Sequence, residues 1–304
     1  KNIKIDNLFL FLLIFFLLPS FRSAAIWPNT QITGIFFFLL SLLFFVKWEN
    51  YKKFNKFDKD LFLSILFLSL AVYSRQIYAM IFFYYLAVFY INCNKIIFFK
   101  TVTIIGLFAI PGIIFLLYWP RILQVTFEFK LYNSLLINSS ILAFYLIPFF
   151  SITFFHEKKI KLIKDKKIEL LLIIFFVFIC SIFFNYDYSL GGGFFIKFSK
   201  IFFGNLLFFF LTSILGLFCI YYLSVEHRLN LLINLILLFS FSAYMIFMKY
   251  FEPMFIIILF LLMKTNLTHV FLRNKKNIYL YHLYFLIYFS SAILNSFLLL
   301  SKDI

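Results

Sequence analysis

The run LFLSILFLSLAVYSRQIYAMIFFYYLAVFYI, residues 61–91, decides the fold. It is apolar on both sides of one polar triplet, Ser74-Arg75-Gln76, and it admits either one helix or two. A single helix would hold the Arg75 guanidinium near the bilayer centre, at a cost of about 2.5–3.5 kcal/mol even on a lenient insertion scale. It would also move Lys95 and Lys100 to a face otherwise poor in lysine. Two spans, 61–74 and 77–91, avoid both problems. Each reaches only roughly 21–23 Å at 1.5 Å per residue, short of about 30 Å of hydrocarbon. Their shared tip is therefore expected to lie below the membrane surface, where an arginine needs water or an anion.

The same pattern extends along the chain. Apolar spans are predicted at 8–20, 32–47, 61–74, 77–91, 97–118, 135–155, 169–184, 201–223, 231–248, 251–263 and 278–300. The expected fold is all-α, a polytopic integral membrane protein of about 11 transmembrane helices. Residues 1–304 form one helical domain with no soluble domain. Hydrophobic residues make up 64% of the chain and charged ones 13%, a balance that excludes an ordinary soluble domain. The 52 Phe residues follow from A/T-rich codons, which also favour Ile, Lys and Asn, so a single Phe carries little information.

Basic residues sort the gaps between spans into two faces. One face collects Lys1, Lys4, the lysines of 47–59, Lys95, Lys100, the lysines of 158–167, Arg228, Lys264, Arg273, Lys275 and Lys276. The other keeps Arg22, Arg75, Arg121, Lys130, Lys197, Lys200, Lys249 and Lys302. The richer face is cytoplasmic by the positive-inside rule. The net charge of +16 thus belongs to lipid headgroups and topology, with no nucleic-acid partner implied.

The sparse face carries the candidate site. Arg75 with Gln76 stands first, because a guanidinium in a recessed cavity can donate paired hydrogen bonds to a phosphate. Snorkelling to the headgroups is the structural alternative. The turn Met248-Lys249-Tyr250-Phe251-Glu252-Pro253 is a second recessed polar tip. There Glu252 is either an N-terminal helix signal ahead of Pro253 or a carboxylate that orients a hydroxyl or acts as base. Trp119 with Arg121, and Arg22 with Trp27 and Asn29, offer a phosphate or sugar contact or an ordinary interfacial aromatic belt. Asp187, a second weak candidate for a base, sits in a Gly-rich loop where a turn-forming Asp is usual. Gly191-Gly192-Gly193 lacks the spacing of a phosphate loop, and Pro111-Gly112 predicts a bend.

Several chemistries are excluded. Cys93, Cys180 and Cys219 form no CxxC pair, and His156, His227, His269 and His282 are scattered, so no metal site, disulfide framework or cofactor is implied. The chain begins at Lys1 without Met and its first span has no cleavage pattern, which reads as a fragment lacking N-terminal sequence.

Three stretches resemble the GT-C superfamily of polytopic glycosyltransferases, nearest to its α-1,2-glucosyltransferases that use dolichyl-phosphate glucose, and their bacterial relatives. These are Leu18-Pro19-Ser20-Phe21-Arg22 through Trp27-Pro28-Asn29-Thr30-Gln31-Ile32-Thr33-Gly34, then Ser74-Arg75-Gln76, then Tyr250-Phe251-Glu252-Pro253. Asn29-Thr30 stands where that family usually has a Thr-Asp pair. The resemblance implies a polyprenyl-phosphate sugar donor, a saccharide or lipid-linked acceptor, and a cavity opening away from the cytoplasm. Arg75, with Lys249 or Arg121, would hold the phosphate, and no metal would be needed. The superfamily's catalytic acid follows its first span, but no acidic residue lies between Leu8 and Val46, so that base is expected upstream of Lys1. A/T-rich composition and the absence of soluble extensions point to a bacterial inner membrane, the active side facing the periplasm. A flippase for lipid-linked saccharides and a surface-polysaccharide polymerase or ligase are the rival readings; short outward gaps count against the last.

Overall fold

A computed structural model describes residues 5–19, 21–22, 30–51, 54, 56–118, 130–157, 166–188, 191–239 and 246–300. Among them the regular structure is helical: α1 Ile5–Leu12, α2 Thr30–Tyr51, α3 Lys59–Ser74, α4 Ile81–Asn92, α5 Lys95–Tyr118, α6 Leu131–Glu157 and α7 Lys167–Ile182. Then come α8 Gly193–Phe203, α9 Leu207–Glu226, α10 Arg228–Phe239, α11 Met254–Leu261, α12 Asn266–Arg273 and α13 Lys275–Leu300. Short 3-10 turns occupy Leu13–Leu17, Gln76–Met80 and Met248–Tyr250.

The break in residues 61–91 falls at the polar triplet. Helix α3 stops at Ser74, Arg75 is extended with φ −153° and ψ 121°, and a 3-10 turn leads into α4. The number of spans needs correction. Among the described residues five helices are long and apolar enough to cross a membrane, within α2, α5, α6, α9 and α13. A sixth is reached only if α11 and α12, bent 101° to each other, are one broken span. The expected eleven came from counting apolar runs, whereas turns divide several runs into pieces too short for that length. The predicted span 201–223 keeps a crossing helix, α9, but it begins six residues later, at Leu207. Gly204 adopts the left-handed conformation and ends α8, Asn205 Oδ1 then accepts from Leu207 N–H at 3.0 Å, and α9 starts there. Pro111 lies inside α5 and does not end it.

Lipid is the solvent these surfaces fit. Helix α5 buries only a narrow face, at Ile97 and Thr101, and leaves most of its apolar side chains exposed, with Phe99 66%, Leu107 58% and Leu117 75% accessible. So much apolar surface left exposed on one helix would aggregate in water but is stable in hydrocarbon. Buried polarity, by contrast, is paired between helices. Helix α6 sits centrally, packed against α7, α8, α9, α10, α12 and α13. Its Asn138 Nδ2 donates to Leu238 O at 2.7 Å, and its Ser140 hydroxyl lies 3.0 Å from that of Thr212 on α9. Pro148 has no N–H to give the Phe144 carbonyl, one turn earlier. Tyr284 Oη on α13 takes that acceptor at 3.0 Å, so the helix's own defect becomes a crosslink.

Helix α2 measures the bundle. In its first turn Gln31 Nε2 donates to the carbonyls of Lys249 and Glu252, at 3.2 and 3.3 Å. In its last turn Glu49 Oε1 accepts from Lys264 Nζ at 2.7 Å. Lys249 and Lys264, which the lysine pattern assigns to opposite faces, therefore sit at opposite ends of one helix.

Candidate functional site

Two polar turns meet at the N-terminal end of α2. On one side Thr30 shares a pocket of about 370 Å³ with Tyr73, Ser74, Arg75, Gln76 and Ile77. On the other, Gln31 holds the Met248–Tyr250 turn by its carbonyl bonds. Arg75 and Lys249 therefore lie at one end of the bundle but open into separate pockets. Arg75 is half-buried, Gln76 and Lys249 are exposed, and the Lys249 ammonium stands 4.7 Å above the Phe247 ring.

The Lys249 pocket holds about 330 Å³ and is lined by Phe194, Lys197, Phe247, Met248, Lys249 and Tyr288 among others. Its described lining has two lysines and no acid. Behind it lies Glu252, only 2% exposed. Its carboxylate turns into the bundle and accepts from Tyr145 Oη on α6 at 2.8 Å. Tyr288 on α13, whose hydroxyl lies 3.7 Å from Met248 Sδ, presents its ring to the pocket. A buried carboxylate is tolerable because a hydroxyl donor solvates it. Glu252 thus fastens the turn to α6. Arg22 lies nearby along α13, 4.6 Å above the Phe289 ring.

The glycine triplet explains how this turn is held. Gly191, Gly192 and Gly193 all have positive φ, 125°, 80° and 84°, a region side chains with a Cβ avoid. Gly192 N–H donates to Ile246 O at 2.7 Å, and Ile246 N–H donates to Tyr186 Oη at 3.1 Å. A Cβ at Gly191 would sit 2.4 Å from that same Ile246 oxygen. The triplet is a backbone cradle for the segment leading into the turn. Gly191→Ala is expected to cost about 1–3 kcal/mol from backbone strain. The check is a melting curve in detergent; a melt superimposing on wild type would show that the cradle does not hold the turn.

Asp187 is exposed, four residues before the cradle begins. Trp27, Asn29, Trp119 and Arg121 lie outside the described residues, and only the backbone of Tyr250 is described. Sequence reasoning missed Lys197, Tyr145 and Tyr288 as site residues. Lys197 had been counted for topology, and the tyrosines were hidden among many aromatic residues. The one usable signal was a lysine four residues after a glycine triplet.

A larger cavity, about 600 Å³, lies at the opposite end beside the α11–α12 bend, lined by Glu226, Lys264, Asn266 and His269 among others. Its lysine is held by Glu49, and its lining includes an acid, Glu226. Burial pushes the Cys93 thiol up to about 11, which leaves it protonated near neutral pH and a poor nucleophile. Among the described residues no three His, Cys, Asp or Glu side chains gather to hold a metal.

The fold and this end of the bundle define an all-helical protein, built on helices able to cross a membrane, with a cationic, aromatic-walled pocket beside a buried carboxylate. Compared with known proteins, the chain matches no family model, no curated protein and no solved structure.

Proposed function

We propose that this protein is an integral membrane glycosyltransferase that takes its sugar from a polyprenyl-phosphate donor at the Arg75–Lys249 end of the bundle. The observation that carries the reading is the pocket lined by Lys197 and Lys249 against aromatic walls, with no acidic residue in its described lining. A lipid-linked sugar monophosphate has the matching parts: an anion for the lysines, a sugar ring for the aromatic faces and a tail for lipid. As the sugar–phosphate C–O bond breaks, negative charge grows on the departing phosphate. Fixed ammonium groups stabilise that charge most where water is scarce. Glu252 acts here as a positioning residue, since its carboxylate is buried against Tyr145 and does not line the pocket. The Arg75 pocket, lined also by Thr30, Ser74 and Gln76, supplies the mixture of hydroxyl, amide and guanidinium donors that suits a saccharide acceptor. In this reading the end lies away from the cytoplasm, at the periplasm of a bacterial inner membrane, a choice supported by the sparse lysine count of that face.

The test is reconstitution into liposomes with radiolabelled polyprenyl-phosphate sugars and a broad set of saccharide and lipid-linked acceptors. Label should move to an acceptor, and Arg75→Ala should lower that transfer by about tenfold or more, the equivalent of one lost charge-assisted bond, with expression and melting unchanged. No transfer to any acceptor overturns the reading. Full transfer by Arg75→Ala removes Arg75 from the site. A second reading, a flippase for lipid-linked saccharides, is favoured by the cavity at the opposite end and the 101° bend between α11 and α12 beside it. Broken helices next to polar cavities recur in carriers. Saccharide appearing across the bilayer without transfer would select it.

A further inference from the structure

Helix α8 was not expected from the sequence, and it carries a line of rings into the cationic pocket. Phe194, Phe198 and Phe202 are spaced four residues apart, so they share one stripe of the helix. Phe194 and Phe198 stack with centroids 5.7 Å apart and planes at 24°, and Phe198 and Phe202 follow at 4.5 Å. Phe208 of α9 flanks the line, 5.4 Å from Phe198. One end of the line is Phe194, in the wall of the Lys249 pocket and 6.1 Å from Tyr288. The other end is open: Phe202 is 70% exposed, next to Ile201 and Leu207, which are exposed too. Lys197, one turn along the same helix, is exposed and lines the pocket.

We infer that this stripe is the track for the hydrocarbon tail of a polyprenyl monophosphate, whose phosphate rests on Lys197 and Lys249. The inference rests on the donor reading above and adds the segment that selects the lipid. Exposed apolar side chains cover much of this protein and touch bulk lipid without selecting anything. What distinguishes α8 is continuity. The rings run unbroken from an exposed apolar end to two ammonium groups, so a ligand joining a long tail to an anion gains at both ends at once, as an acyl chain and a basic patch do together at membranes. The flat faces of successive rings also match the planar trisubstituted double bonds of a polyprenyl chain better than they match saturated acyl chains.

The experiment measures equilibrium binding to the purified full chain in nanodiscs, with no sugar present. Probes are undecaprenyl phosphate, geranyl phosphate and undecaprenol, with excess phosphatidylglycerol as competitor. Wild type should prefer the long phosphate over each of the other two by about tenfold or more, and phosphatidylglycerol should not displace it. Phe198→Ser combined with Phe202→Ser should abolish the chain-length preference while leaving geranyl phosphate binding intact. Phe202→Ser alone, at a 70% exposed position, should reduce the preference part of the way. Lys197→Gln should weaken both phosphates and leave the alcohol unchanged. Equal binding of long and short phosphates by wild type, an unaltered preference in the serine variants, or displacement by phosphatidylglycerol each overturns the track. Chain-length preference without sugar transfer in the liposome assay keeps the track and defeats the transferase reading, so the two failures are distinguishable.

Discussion

Gly216→Ala is expected to be the most damaging single-methyl change in this protein. Helices α6 and α9 cross so closely that a Cβ at Gly216 would lie 2.0 Å from the Ser139 carbonyl oxygen and 3.1 Å from the Ala143 Cβ. A carbon and a carbonyl oxygen settle at about 3.3 Å or more, so the two backbones must part by roughly an ångström. That separation also stretches the Ser140–Thr212 hydroxyl pair at 3.0 Å and the Ser213 Oγ bond to Leu136 O at 2.9 Å. Lipid supplies no hydrophobic drive to push the helices back together, since close packing and these bonds are themselves the attraction. We expect a loss of about 3 kcal/mol, read as a lower melting temperature in detergent, and no monodisperse protein at all for Gly216→Leu. Gly106→Ala is the control. Nothing lies within 4 Å of a Cβ there, and removing a helical glycine's backbone freedom should stabilise by about 0.5–1 kcal/mol. Equal melting temperatures for the two alanine variants would sink this account of the crossing.

The second large effect is expected at Glu252. Glu252→Ala strands the hydroxyl of Tyr145, which is fully buried and donates to that carboxylate at 2.8 Å. A buried group left without its partner costs about 1–3 kcal/mol, so about 2 kcal/mol is expected. Glu252→Gln keeps an oxygen in place and should lose no more than about 1 kcal/mol. Tyr145→Phe removes the hydroxyl that alanine strands. The double variant with Glu252→Ala should therefore be less damaged than the two single losses added together. Strict additivity in that cycle would mean that the carboxylate and Tyr145 do not act as a unit.

Both results depend on contacts that differ greatly in how legible they were. The Ser74-Arg75-Gln76 break could be read because a charge inside an apolar run carries a cost that only an interruption relieves. Pro253 likewise marked the start of α11, where it stands as the N-cap. The end of α8 was missed because Gly204-Asn205 sits inside an unbroken apolar run, and hydropathy registers composition rather than the left-handed turn. Helix α12 was missed because its eight residues are too few and too mixed to register as a span. At the site, Arg75, Lys249 and Glu252 were found as polar residues at apolar turns. Tyr145 and Tyr288 could not be singled out among 19 tyrosines.

The sequence by itself determined the solvent, the helical class and the placement of Lys249 and Lys264 at opposite ends of the bundle. All three follow from local composition and the cost of placing charge in hydrocarbon. Only the tertiary structure decided which side chains meet. A helix such as α6 is apolar nearly all round and has no stripe to say which side faces inward. Its rotation is set instead by where small residues let a neighbour approach and where a stranded carbonyl or carboxylate finds a donor. Those partners lie 107 residues apart for Tyr145 and Glu252, and 77 for Leu136 and Ser213. Pairings across such distances are fixed by the packing of whole helices, and no local pattern in the chain encodes them.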